Sequence, residues 1–318
     1  MYSIMFGLRA TLVLLLLMLS SVTAAEEFNS VSLAPRERPA QSVDNWSLQS
    51  ATMQRSYDIS VGLPLSYADE PEKSFPAIIV LDGNRMFGMA LDITRGLNGS
   101  GEVEELIIIS IGTPFDEGHR GWLRRRVYEF SPDNDRPLTG SFGKLMKQFC
   151  KDLHQLDAEE CLGGAPEFLR FISGEFLTVM NNKYRIDNDR LGLSGISAGG
   201  FFASWTLLQE QSPFRNYIIS SPAMAYGDGE VLRLEARWAE THDDLVADVY
   251  MAAGMLETNR AYDEGMGKCV SGMAEFSGML ASRNYPGLSL LTEMHPGLGH
   301  SDGGAATFAI GLRRLYAR

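Results

Sequence analysis

The stretch RLGLSGISAGGFFASWTLL, residues 190–208, changes character at its middle. Leu191-Gly192-Leu193 reads as the end of a strand, and Ala198 onward suits a helix. Ser197 stands between them, inside Gly195-Ile196-Ser197-Ala198-Gly199, a G-x-S-x-G. A serine on a sharp strand-to-helix turn projects its hydroxyl out of the sheet. Glycines two before and two after it remove side chains that would clash, and Gly200 adds room. The helix start also offers backbone N–H groups to a developing negative charge. Five residues alone would fit a plain glycine turn; the flanking strand and helix make Ser197 a candidate nucleophile.

Working outward, FPAIIVLDG holds a continuous apolar run at 77–81 that stops at Asp82-Gly83, and ELIIISIG at 105–112 repeats the pattern. Such runs suit strands of a parallel sheet buried on both faces. Residues 47–65 alternate, like edge strands. NYIISSP, ADVYMAAG and LSLLTEMHPG read as further strands. Helices are expected at 86–95 and over EVLRLEARWAE, CVSGMAEFSGMLAS and AATFAIGLRRLYAR. Another is expected at 166–184, where Phe168, Phe171, Ile172 and Phe176 share one face. Strands alternating with helices imply an α/β fold, with a mainly parallel central sheet and helices on both faces. Residues 113–162 are polar and rich in Arg, Asp and Pro, and read as a long loop or insert.

The chain has 318 residues, 45% hydrophobic and 21% charged, which gives length for a sizeable core. No linker or repeat divides it, so one domain is expected. The first 25 residues stand apart: Arg9, an apolar run over about 10–19, then small residues. That run falls short of the roughly 20 apolar residues needed to span a bilayer. Val22-Thr23-Ala24 and Thr23-Ala24-Ala25 both suit signal-peptidase cleavage. Residues 1–25 are therefore read as a signal peptide, 26–46 as a flexible lead-in and 47–318 as the folded domain. Export to the periplasm or the medium follows.

Export permits disulfides. Of three cysteines, Cys150 and Cys161 are close enough in sequence to close a small loop, which leaves Cys269 odd. No CxxC or Cys/His cluster suggests zinc, and neither a metal nor an organic cofactor is expected. A net charge of −12 repels phosphate backbones, which argues against a nucleic-acid partner. No segment after the signal is long and apolar enough to span a membrane.

A serine nucleophile needs a base, usually histidine, oriented by a carboxylate. In a strand–turn–helix site of this kind the chain order is Ser, acid, His. His295 and His300 follow the last expected strand, in EMHPGLGHSDGG, and His300 is preferred in its Gly-flanked loop before the final helix. The acid should follow ADVYMAAG. Glu257 lies there, with Asp263 and Glu264 as alternatives. An oxyanion hole needs two N–H donors: Ala198, directly after Ser197, and Asn84, after the strand ending in Leu81.

Taken in order, FPAIIVLDGNRMFG, RRRVYEFSP, the 168–208 segment, FRNYIISSPAM, AAGMLE and HPGLGHSDG resemble the esterase-D-like family of α/β-hydrolases. That family includes siderophore and feruloyl esterases and mycolyltransferases. The resemblance covers about residues 47–316. It implies an α/β-hydrolase fold and a serine esterase acting on a small-molecule carboxylic ester, a siderophore-type ester or lactone being the sharpest expectation. It matches Ser197 to the nucleophile, His300 to the base, Glu257 to an acid position some members lack, and Asn84 to the second oxyanion donor. RRRVYEFSP departs from the family's R-D-[FY]-T-P, with Glu129 for Asp and Ser131 for Thr. An acyltransferase using the same Ser-His site, a peptidase, or a binding protein on the same fold are the alternatives.

Three adjacent arginines, Arg124, Arg125 and Arg126, cannot all face one way. Pairing with Glu129, Asp133 and Asp135 is expected. Arg124, and Arg85 beside Asn84, are candidates for contacting an anionic substrate.

Overall fold

The computed structural model describes residues 43–132 and 140–318. The expected signal peptide and most of the lead-in fall outside the described residues. Eight strands form one sheet: β1 (Val43–Ser50), β2 (Arg55–Gly62), β3 (Phe75–Val80), β4 (Ile107–Gly112), β5 (Ile186–Ile196), β6 (Asn216–Ser220), β7 (Ala247–Gly254) and β8 (Leu288–His295). Their order is β1-β2-β4-β3-β5-β6-β7-β8. The alternating segment became the antiparallel edge pair β1/β2, and β2 joins β4 antiparallel. Every other pairing is parallel.

All residues of β3 and β4 are buried, as continuous apolar runs require. Their alternate side chains feed two cores. Ile78, Val80 and Ile108 face α1 (Gly83–Gly99) and α10 (His300–Leu315), meeting Leu91, Leu97, Phe308 and Leu312. Ala77, Ile79 and Ile109 face the opposite layer. That layer contains α2 (Gly118–Glu129), α3 (Gly140–Phe149), α4 (Ala165–Phe171), α5 (Leu177–Lys183), α6 (Ala198–Thr206), α7 (Glu230–Thr241), α8 (Arg260–Gly265) and α9 (Ser271–Arg283). Truncating a fully buried Ile of this kind to Ala would cost about 2–5 kcal/mol.

Two expectations change. The 166–184 helix is α4 and α5 joined by a π-helical turn, Ile172–Phe176. Phe168, Phe171, Ile172 and Phe176 are nonetheless all buried. The 113–162 segment is not a long loop, since it contains α2 and α3. Its helices were hidden because buried positions of α2 are held by Arg125 and Glu129, which break the apolar stripe. Cys150 and Cys161 form a disulfide there, with Cα atoms 5.8 Å apart. Cys269 is free and buried.

The chain goes from β3 to β4 on one side, then returns to β5 on the other. Ligands of open parallel sheets bind at such a reversal, outside the strands' carboxyl ends. Here it brings the turn after β3, with Asp82 to Asn84, beside the turn after β5, with Ser197.

Candidate active site

Ser197 joins β5 to α6 with φ 60° and ψ −118°, a backbone conformation that side chains rarely adopt. Such strain persists only where the surroundings hold it. Its N–H donates to Ser220 O at 3.0 Å, and its carbonyl accepts from Phe201 N at 2.8 Å and Ala223 N at 3.0 Å. Gly195 is required, because a Cβ there would overlap the backbone of Gly199. Gly199 itself, the second motif glycine, would meet nothing nearer than 3.5 Å. The stringent position after the serine is Gly200, where a Cβ would lie 2.7 Å from Ser220 O. The serine's turn is thus pressed against the end of β6. The first turn of α6, starting at Ala198, leaves N–H groups without intrahelical partners.

His300 is not in a loop. It is the first residue of α10, whose start is fixed by Gly299 N donating to Asp302 Oδ1 at 2.8 Å. Asp302 stabilises this N-terminus, where carboxylates are favoured, so the loop expected from its glycines becomes a capped helix start. One turn on, Gly304 sits against Ile196, the residue before Ser197, so α10 begins over the turn. His300 Nδ1 lies 2.6 Å from Glu257 Oε2. Glu257 follows β7 in a 3₁₀ turn and is fully buried. Its Oε1 accepts from Gly254 N at 2.9 Å and Ser221 Oγ at 2.7 Å. Burial opposes ionisation of Glu257, but hydrogen bonds from His300, Ser221 and Gly254 outweigh it and hold the carboxyl below its usual range. An ionised carboxylate only accepts, so Nδ1 of His300 carries the hydrogen of this bond, and in the neutral ring the lone pair is on Nε2.

The alternative acids are engaged elsewhere. Asp263 accepts from Val270 N at 2.7 Å and also from Ser271, while Glu264 pairs with Arg260 at 2.9 Å. His295 is buried at the end of β8.

Ser221 was not singled out from sequence. It follows β6 with φ 39° and is fully buried, and its hydroxyl reaches the carboxylate of Glu257, 36 residues on. The only local signal is a serine before Pro222 at a strand end. Cys269 is also near: its Sγ and ligand atoms of Glu257 and His300 lie within 4.8 Å of one another. Burial pushes the Cys269 thiol far up, and it donates to Met266 O at 3.1 Å.

Asn84 lies in the first turn of α1. Its side chain grips the residue after β4, with Nδ2 donating to Thr113 O at 2.6 Å and Oδ1 accepting from Thr113 N at 2.7 Å. Its backbone N–H belongs to the helix-start set that lacks intrahelical acceptors.

The arginines separate as sterics require, but with other partners than expected. Arg125 is buried and pairs with Glu117 and with Ser56 O. Arg126 pairs with Asp82. Glu129 takes a hydrogen bond from Tyr57 Oη at 2.6 Å and one from Arg55 at 3.4 Å. The segment's helical course sends neighbouring side chains to different sides, so sequence proximity did not choose the pairs. Asp133 and Asp135 lie outside the described residues. Arg124 is exposed, on a groove it shares with Arg55 and Glu117. Arg85 is exposed, its guanidinium 4.9 Å from the Trp122 ring centre.

Comparison with known proteins agrees with this architecture. Residues 175–253 match the prolyl oligopeptidase family, Peptidase_S9. The chain is 30% identical over 189 residues to the siderophore enterobactin esterase of Emericella nidulans, an alignment spanning 57% of each chain. It is 25% identical over 215 residues to the ferri-bacillibactin esterase BesA of Bacillus subtilis, covering 66% of this chain and 69% of that one. Among solved structures, the siderophore hydrolase EstA of Aspergillus nidulans superposes with a TM-score of 0.72 at 20% identity, over 89% of this chain and 97% of that one. The BES protein of Bacillus cereus gives 0.71 at 24% identity, over 90% and 100%. The chain has the α/β-hydrolase fold, and the sequence relatives named here are siderophore esterases.

Proposed function

We propose that this chain is an exported serine esterase, with Ser197 as nucleophile, His300 as base and Glu257 as the acid orienting it. The observation that carries the reading is the Glu257–His300 couple at 2.6 Å, on a helix that starts over a serine held in a strained strand-to-helix turn. Ser197 Oγ attacks the ester carbonyl while His300 Nε2 takes its proton. The oxyanion is held by the N–H groups of Ala198 and Asn84. His300 returns the proton to the departing alcohol, and water then releases the acid by the same steps in reverse. Glu257 stays ionised throughout and stabilises the imidazolium. The names of the sequence relatives support a siderophore-type ester or lactone as substrate. Arg85 and Arg124 are offered as contacts for an anionic substrate, on the strength of their exposure.

Among the described residues no helix is long and apolar enough to cross a membrane. Export rests on the leader at 1–25, whose cleavage N-terminal sequencing of the expressed protein would test.

The activity is tested with the purified mature protein on short p-nitrophenyl esters and on a catecholate trilactone, beside Ser197→Ala. A loss on the order of 10⁴-fold or more in kcat is expected. Equal rates in the two proteins would overturn the mechanism.

A further inference from the structure

We propose that Arg126 is a positioning residue that fastens together the two halves of the oxyanion hole. The inference rests on the serine-esterase reading and on Ala198 and Asn84 as donors.

Those donors come from turns more than a hundred residues apart in sequence. A two-donor hole works only when both N–H groups converge on one point, to within a few tenths of an ångström. The strands beneath do not secure this. Pairing of β3 with β5 ends at Val80 and Ser194, with a last bond from Leu81 N to Ser194 O at 3.0 Å. Beyond it the two turns leave the ladder.

Arg126 spans that gap. Its Nε lies 2.9 Å from both carboxylate oxygens of Asp82, and its Nη2 donates to Ile196 O at 3.1 Å. Asp82 is two residues before Asn84, and Ile196 is two before Ala198. One guanidinium therefore ties the same offset on each turn. Asp82 is buried with φ 55°, and Trp122 Nε1 holds its Oδ1 from the other side at 3.1 Å. The guanidinium carbon lies 5.6 Å from the Trp122 ring centre and 5.7 Å from that of Phe130. Asp82 and Phe130 also flank Gly199 at the start of α6.

Stability alone does not account for the pair. A buried ion pair offers little over well-packed apolar residues of similar size. What it adds is fixed orientation, because a planar guanidinium with directed N–H groups leaves each turn little choice of angle. An ammonium at the same place, a compact charge without a fixed planar fork, would hold the angle between Asp82 and the Ile196 carbonyl less tightly.

The test compares wild type, Arg126→Lys and the double variant Asp82→Asn/Arg126→Met. The double variant leaves no unpaired buried charge and keeps a residue that tolerates positive φ at 82. Thermal melts report folding. Readouts are kcat and KM for p-nitrophenyl butyrate and the rate of Ser197 labelling by a fluorophosphonate, whose phosphoryl oxygen occupies the oxyanion position. The expectation is a kcat about 100-fold lower in the double variant and about 10-fold lower in Arg126→Lys, with KM within about threefold and labelling slowed in parallel. A folded double variant with kcat within about threefold of wild type, or a loss confined to KM, would overturn the proposal. If the double variant does not fold, Arg126→Lys decides by the same criteria. Wild-type protein that neither turns over ester nor labels at Ser197 would instead overturn the esterase reading, and this proposal with it. An active wild type with unaffected variants rejects only the positioning role.

Discussion

Two buried glutamates flank the carboxyl end of the sheet and are held in opposite ways. Glu257 and Glu129 both lose nearly all contact with water. The carboxyl of Glu257 is held below its ordinary range, whereas burial pushes that of Glu129 up to about 7. Burial weighs more heavily on Glu129, and donors oppose it more strongly at Glu257. Glu257 takes short bonds from His300, Ser221 and Gly254, distributed over both oxygens. Glu129 has one short bond, from Tyr57, a distant one from Arg55, and the negative charge of Asp82 nearby. Burial favours the neutral acid unless enough donors oppose it. Glu257 thus has three hydrogen bonds to set against its burial, and Glu129 has one short and one long.

The largest effect that would break this comparison comes from Glu257→Gln. The amide presents a donor where His300 needs an acceptor, favouring the wrong imidazole tautomer. A fall in kcat of roughly 10³–10⁴-fold is expected with little change in melting temperature. A loss under about tenfold would mean that His300 works without this acid.

Next comes Glu129→Gln, read by stability against pH. A carboxyl whose folded pKa is raised binds more protons in the folded state than in the unfolded one. Stability from this group therefore falls as pH rises, over the window from 4.5 to about 7. Above the window the wild type bears the full cost of a buried charge, up to about 3 kcal/mol, which the amide avoids. Denaturant melts across pH 4–8 should show the variant gaining on wild type as pH rises. Parallel curves would place the Glu129 titration elsewhere.

Ser221→Ala sharpens the comparison at its smaller end. It removes one donor from Glu257 and leaves the others, so Glu257 should shift part of the way toward Glu129. A kcat loss of about tenfold is expected, with the acid limb of the pH–rate profile moved to higher pH. Ser221→Cys, a weaker donor, should fall between. An unmoved acid limb in Ser221→Ala would reduce Ser221 to a packing role.

Much of this arrangement was legible in the chain. The apolar runs of β3 and β4, the alternation of β1 and β2, and the turn at Ser197 are all local patterns. The segment 113–162 was not legible, because α2 buries Arg125 and Glu129 where an amphipathic helix would bury leucine. The three arginines illustrate the same limit. Their nearest acids in sequence were the natural guess, yet Arg126 reaches back 44 residues to Asp82.

The sequence by itself determined the alternating α/β order and the strand–turn–helix at Ser197. Side-chain periodicity and glycine sterics act within a few residues, so they can be read directly from the chain. Only the tertiary structure paired Glu257, the acid already favoured in the sequence, with His300, brought Ser221 to the same carboxylate, placed His300 at a helix start and joined Arg126 to Asp82 and Ile196. Those choices depend on which strand ends become neighbours. Strand order in a parallel sheet is set by long-range packing, which no local pattern encodes.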